Sequence, residues 1–167
     1  MNPTGYDFDP THGMDLTALL AVVPPKPAAD FAAFWEDRYR AARVVTPEPR
    51  ILGPNRRLGA HAVFDLSYSS TGGIRIGGWL LLPLNSRVRR GIVVGHGYDG
   101  RDRPDAGPFP DGTAVLLPCF RGTGRSPAAG VSSDSALHVL HHIRDRDRYI
   151  LGGCVDEDRA RRFVDRH

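Results

Sequence analysis

Apolar and polar residues alternate along His61 to Ser69, with Ala62, Phe64, Leu66 and Tyr68 set against Val63, Asp65 and Ser67. That period of two predicts a strand with one wetter face. The turn-forming Ser70-Thr71-Gly72-Gly73 follows, and apolar residues return from Ile74 to Leu84 through Ile76, Trp79 and Leu80-Leu81-Leu82. The two runs predict an antiparallel hairpin. After a polar link at 85–90, Ile92-Val93-Val94 is short and wholly apolar, as in a doubly buried strand, and opens into Gly95-His96-Gly97-Tyr98-Asp99-Gly100. Residues 101–111 hold three prolines and a glycine among Arg and Asp and read as a loop or broken helix. A fourth strand is predicted at Thr113 to Pro118, with a turn from Cys119 to Ser126 after it.

Upstream, Phe31, Phe34, Trp35, Tyr39 and Ala42 recur with helical spacing behind Asp30, a good N-cap, and the helix must stop before Pro47. Its aromatic face reads as packing rather than a ligand box. Met14 to Val22 predicts a shorter helix, ended by the stiff, extended Pro24-Pro25-Lys26-Pro27. Residues 1–13 lack periodicity and read as a loose arm. Residues 156–167 are mostly charged and read as a solvated tail or frayed helix. The expected organisation is an arm and Pro-rich linker over 1–29, one domain over 30–155, and the tail.

Composition narrows the function classes. The 167 residues, 41% of them apolar, suffice for one ordinary core. A net charge of +3 is small and scattered, with no aromatic residues interleaved in a basic stripe, so a nucleic-acid partner is not expected. Cys119 and Cys154 are far apart and lack ligand spacing, which argues against zinc and against a disulfide framework. Residues 1–6 lack the basic start and apolar core of a signal peptide, and no run of eighteen apolar residues occurs. A cytoplasmic protein without a membrane partner is the expectation.

Among the motifs, the His96-Gly97 loop carries the most chemistry. A glycine there lets the backbone turn so that successive N–H groups face one spot, a nest suited to an anion. A His-Gly loop after an early strand supplies half of the oxyanion hole in serine hydrolases, although an ordinary Gly-rich turn has the same composition. Gly122-Thr123-Gly124 lacks both the phosphate-loop pattern and the third glycine of a dinucleotide fingerprint. The His138 to His142 cluster has no HExxH pattern and reads as surface or packing histidine.

In order along the chain, Pro24-Pro25-x-Pro27 with Asp30-Phe31-x-x-Phe34-Trp35, then Gly73-Ile74-Arg75-Ile76-x-Gly78-Trp79-Leu80, then His96-Gly97-Tyr98, then Arg121-Gly122-x-Gly124-x-Ser126 resemble the acetyl xylan esterase and cephalosporin-C deacetylase family of α/β-hydrolases. The resemblance runs from about Asp15 to Val155. It implies an α/β fold, truncated: an N-terminal helix, then a small mixed sheet of an antiparallel hairpin plus two parallel strands, without the C-terminal half. It also implies removal of acetyl groups from sugars or small esters by a Ser-His-Asp triad without a cofactor or metal, the backbone N–H of Tyr98 holding the oxyanion and His96 and Gly97 shaping the binding loop. A related peptidase-like hydrolase shares the early strands.

The departure from the family pattern is the nucleophile. No GxSxG elbow occurs in the 167 residues, and neither Ser126 nor Ser132 completes one. Ser126 belongs to the turn after the fourth strand and is expected to be structural; no histidine is placed as the base. Nucleophile and base are therefore expected to be absent, leaving either a partial esterase or a non-catalytic remnant that binds a partner. In the family's strand order the Ile92 strand becomes a bare edge, which makes a second copy or a complementary C-terminal half the expected partner, besides an acetylated saccharide or small ester.

Overall fold

A computed structural model describes residues 7–97, 99–132, 134 and 137. The chain forms two compact units, residues 1–34 and 35–167. The boundary expected after 155 lies outside the described residues.

In the first unit, Asp9 organises a tight turn: Oδ1 accepts from the Thr11 N–H at 2.9 Å and from its hydroxyl at 2.6 Å, and Oδ2 from the Gly13 N–H at 2.8 Å. The Thr11 hydroxyl and then the backbone donors hold the Asp9 carboxyl below the usual carboxylate range. Helix α1, Leu16–Leu20, begins where Asp15 accepts from the Ala18 N–H at 2.7 Å. It buries no residue.

Helix α2 spans Phe31–Val44, as its spacing predicts, but Ala42 is its one buried residue. Along the face expected to pack, Phe31 and Tyr39 are exposed, Phe34 and Trp35 half-buried and Ala42 buried. On its solvent side Arg40 reaches Glu36 at 3.3 Å and Asp37 at 2.6 Å.

The second unit is built on one five-stranded sheet in the order β1-β2-β3-β5-β4, with β1 Arg50–Leu58, β2 His61–Ser69, β3 Arg75–Pro83, β4 Arg90–Val93 and β5 Thr113–Pro118. The hairpin is β2 and β3, joined through a single 3-10 turn at Thr71–Gly73. Strand β5 lies antiparallel to β3 and parallel to β4. Mixed pairing of this kind follows from a tight hairpin feeding a long crossover.

One strand is additional to those expected. β1 is exposed along almost its whole length and contains Gly53-Pro54, so it shows neither alternation nor an apolar run. Proline is tolerated there because β1 is an edge, and its pairing with β2 breaks register between Leu52 and Arg56 around that dipeptide. The side of β2 expected to be wet is largely covered as well. Val63 is fully buried, Asp65 accepts from Arg125 at 2.8 Å and from Asn55 at 2.7 Å, and Ser67 accepts from Arg75 at 3.0 Å.

The sheet carries apolar clusters on both faces. Leu66, Tyr68, Ile76, Leu80 and Leu116 form one, and Val63, Trp79, Leu81, Val115, Leu117 and Cys119 the other. Strand β5, inside the sheet, is buried at every residue. Strand β4 was expected to be doubly buried, yet Arg90 and Gly91 are exposed and Ile92 and Val93 half-buried. The reason is position: among the described residues β4 pairs with β5 alone and is the sheet edge. No helix among the described residues is long and apolar enough to cross a membrane.

Candidate functional site

Strands β4 and β5 are parallel, so the loop leaving β4 and the turn leaving β5 emerge at the same end of the sheet. That end, beyond the carboxyl termini of parallel strands, is where open α/β sheets place their ligand sites. The loop is Gly95 to Gly100; the turn is Cys119 to Ser126.

His96 joins the two. The Phe120 N–H donates to its Nε2 at 2.9 Å, so Nε2 holds a lone pair and the ring proton belongs on Nδ1, which lies 2.7 Å from Gly97 O. Its ring lies against that of Phe120, with centroids 4.5 Å apart. Thr123 Oγ1 stands 3.1 Å from the same Nε2 and donates to Phe120 O at 2.6 Å. An imidazole with both nitrogens engaged inside the protein positions a loop; a general base needs its lone pair available to substrate.

Arg101 fixes the root of the loop. Its guanidinium donates to Val94 O at 3.1 Å and Gly95 O at 3.0 Å, with a side chain only 9% exposed. Two consecutive carbonyls are thereby turned toward one cation as the chain leaves β4. The backbone of Arg101 also approaches the other turn closely, since a Cβ on Gly124 would lie 2.7 Å from Arg101 O. Gly124 is in the left-handed region at φ +45°, which favours glycine for a second reason.

Of the loop residues read from the sequence, the structure describes His96 and Gly97; Tyr98 lies outside the described residues. Gly97 was expected to enable the turn by lacking a Cβ, and the geometry assigns that need elsewhere. Its φ is not in the left-handed region, and an added Cβ would meet no described atom within 4 Å. The positive φ falls at Gly100, +76°, whose N–H closes the turn on Gly97 O at 3.1 Å. Arg101, Phe120 and Thr123 are the site residues that sequence reasoning missed. Arg121-Gly122-x-Gly124 pointed at the right turn, but the bonds to His96 span 24 and 27 residues and have no local signal.

Ser126 is structural. It is completely buried, its Oγ accepts from the Gly77 N–H at 2.8 Å, and its hydroxyl donates to Cys119 O. The Cys119 N–H in turn donates to Gly77 O at 2.9 Å, carrying the β3–β5 ladder into the turn. Burial pushes the Cys119 thiol up, away from the reactive thiolate. Among the described residues no three His, Cys, Asp or Glu side chains are grouped to hold a metal ion. The His138 to His142 cluster and Cys154 lie outside the described residues.

Comparison with known proteins agrees with this architecture. A search of curated protein sequences gives no significant match. Among solved structures, acetyl xylan esterase 1 from Thermoanaerobacterium sp. JW/SL YS485 aligns with a TM-score of 0.69 at 21% identity, over 90% of this chain and 50% of that one. Acetyl xylan esterase from Paenibacillus sp. R4 aligns with a TM-score of 0.72 at 22% identity, over 92% and 52%. The chain thus has their fold and spans about half their length. The family model Acetyl xylan esterase (AXE1) matches residues 13–159, and the chain belongs to that family of carboxylic ester hydrolases.

Proposed function

We propose that residues 1–167 supply the oxyanion-binding part of a serine carboxylesterase that removes acetyl groups from acetylated saccharides or related small esters. In this reading the Tyr98 N–H donates to the carbonyl oxygen as it gains negative charge. A second donor, the attacking serine, the histidine base and its orienting aspartate come from polypeptide outside these residues. The hydroxyl adds to the ester carbonyl, its proton passes to the base, and the tetrahedral oxyanion collapses to an acyl-enzyme with loss of the alcohol.

The observation that carries the proposal is the His96 loop. It leaves β4 at the carboxyl end of the parallel strands, in a chain of an esterase family, with an imidazole and an arginine that hold backbone rather than face solvent. Preorganised amides of this sort are worth most when nothing must move as charge develops. The buried, free Cys119 fits a reducing cytoplasm, which we include in the proposal. The missing donors are expected to arrive with a complementary segment that pairs with the β4 edge.

Hydrolysis of p-nitrophenyl acetate tests this. The chain alone is expected to show no turnover above a Tyr98→Pro control, which lacks the donor N–H. Joined to a downstream-encoded segment carrying Gly-x-Ser-x-Gly, it is expected to turn over substrate, with Tyr98→Pro lowering kcat by about 10²–10³. Equal rates for the wild-type and Tyr98→Pro complexes would leave only the binding reading.

A further inference from the structure

Gly97 O takes two donors, the His96 ring at Nδ1, 2.7 Å away, and the Gly100 N–H at 3.1 Å. Packing does not confine it. Gly97 is exposed, and apart from its chain neighbours a Cβ added there would meet no described atom within 4 Å, so hydrogen bonds set the direction of this carbonyl. Glycine has the widest choice of backbone angles, and a peptide unit that follows it turns easily unless it is tied. A trans peptide is planar and sends its C=O and N–H to opposite sides, so whatever grips Gly97 O decides where the next N–H along the chain can point. That N–H belongs to Tyr98.

The imidazole can donate to Gly97 O in one tautomer only. With the Phe120 N–H on Nε2 at 2.9 Å, the ring proton is on Nδ1, and the Thr123 hydroxyl, which donates to Phe120 O at 2.6 Å, does not compete for the Nε2 lone pair. The two nitrogens thus have different tasks: Nε2 joins the loop to the turn after β5, and Nδ1 orients a single peptide unit. Arg101 treats Val94 O and Gly95 O in the same way, so the loop is held through its carbonyls.

We infer that His96 is a positioning residue for the esterase chemistry, acting through Nδ1–H on Gly97 O to aim the Tyr98 amide at the oxyanion. The inference rests on the reading of this loop as half of an oxyanion hole. In this role the imidazole neither takes nor gives up a proton. It keeps one peptide unit from turning as charge develops on the ester oxygen, where a donor already in place is worth most.

Asparagine and glutamine separate the two tasks, since the Asn amide reaches the position of Nδ1 and the Gln amide that of Nε2. In the complex of this chain with the downstream-encoded segment carrying Gly-x-Ser-x-Gly, His96→Ala is expected to lower kcat for p-nitrophenyl acetate by about tenfold or more with KM within about twofold, short of the 10²–10³ expected when the donor is lost outright. His96→Asn is expected to recover most of that loss and His96→Gln little of it. A ring that merely braces the two loops needs Nε2 more than Nδ1. Recovery by His96→Gln equal to that by His96→Asn, or a loss in His96→Ala confined to KM, would therefore overturn the positioning role and leave the esterase reading standing. On the chain alone, imidazole ¹⁵N shifts are expected to show the Nδ1–H tautomer; the Nε2–H tautomer would overturn the role whatever the complex does. An absence of turnover in the wild-type complex would instead overturn the esterase reading, and with it the reaction that the role serves, even with the Nδ1–H tautomer in place.

Discussion

Trp79→Ala is expected to destabilise the chain by about 3–5 kcal/mol, the range for truncating a buried large aromatic. Trp79 is 2% exposed, at the centre of the cluster that includes Val63, Leu81, Val115, Leu117 and Cys119. Its ring also lies 5.0 Å from the Arg125 guanidinium, which pairs with Asp65, so the indole joins the interior to the turn after β5. Folding stabilities of ordinary domains are about 5–15 kcal/mol, so the variant forfeits a large share of what is available. Trp79→Phe offers an informative contrast. The indole Nε1 is buried without an acceptor among the described residues, and phenylalanine removes that orphan donor while keeping an aromatic ring. Its cost is expected to be well under half that of alanine. Urea unfolding reads both, as a lower midpoint at unchanged slope; equal losses for the two variants would show that ring packing is not the principal contribution.

Ser126→Ala is expected to cost roughly 2–5 kcal/mol although it removes a single oxygen. It leaves the Gly77 N–H and the Cys119 carbonyl without their partner in a place water does not reach, and each buried unsatisfied group costs about 1–3 kcal/mol. The backbones are too close to relax, for a Cβ on Gly77 would collide with Arg125 O. Loss of this anchor should also loosen the loop bearing His96, because the Phe120 N–H and Thr123 that hold the imidazole belong to the same turn. Amide exchange at Phe120, faster in the variant than the global loss of stability explains, would display that connection. An unfolding midpoint within error of the wild type would show that Ser126 is not the anchor described here.

The parts of the fold that could be read from the sequence are those in which local pattern and burial coincide. β2 alternates, β3 after Arg75 and β5 after Thr113 carry no polar side chain, and the glycines at 72 and 73 mark the hairpin. β1 defeats such a reading because an exposed edge strand has no buried face to impose a period, and Pro54 argues against a strand wherever edge position is unknown. The edge position of β4 was legible only through the family's strand order, because by local pattern three apolar residues look alike in the middle of a sheet and at its margin. At the candidate site, His96-Gly97 stood out as a glycine-flanked turn after an apolar run. The grip of Phe120 on the imidazole arises only when the two parallel strands lie side by side, and that of Arg101 on the carbonyls of Val94 and Gly95, six and seven residues away, leaves no periodic signature in the loop.

That pairing dictates an order of assembly. β2 and β3 are neighbours in sequence and can zip together unaided, whereas β4 pairs among the described strands only with β5, which is made later and must first settle on β3. Contacts between distant segments form slowly because a long excursion has to close before any bond rewards it. The hairpin is accordingly the natural nucleus, and the histidine loop acquires its shape last. A nascent chain therefore exposes Ile92 and Val93 for as long as β5 is unplaced, an interval in which a chaperone would find its clearest foothold.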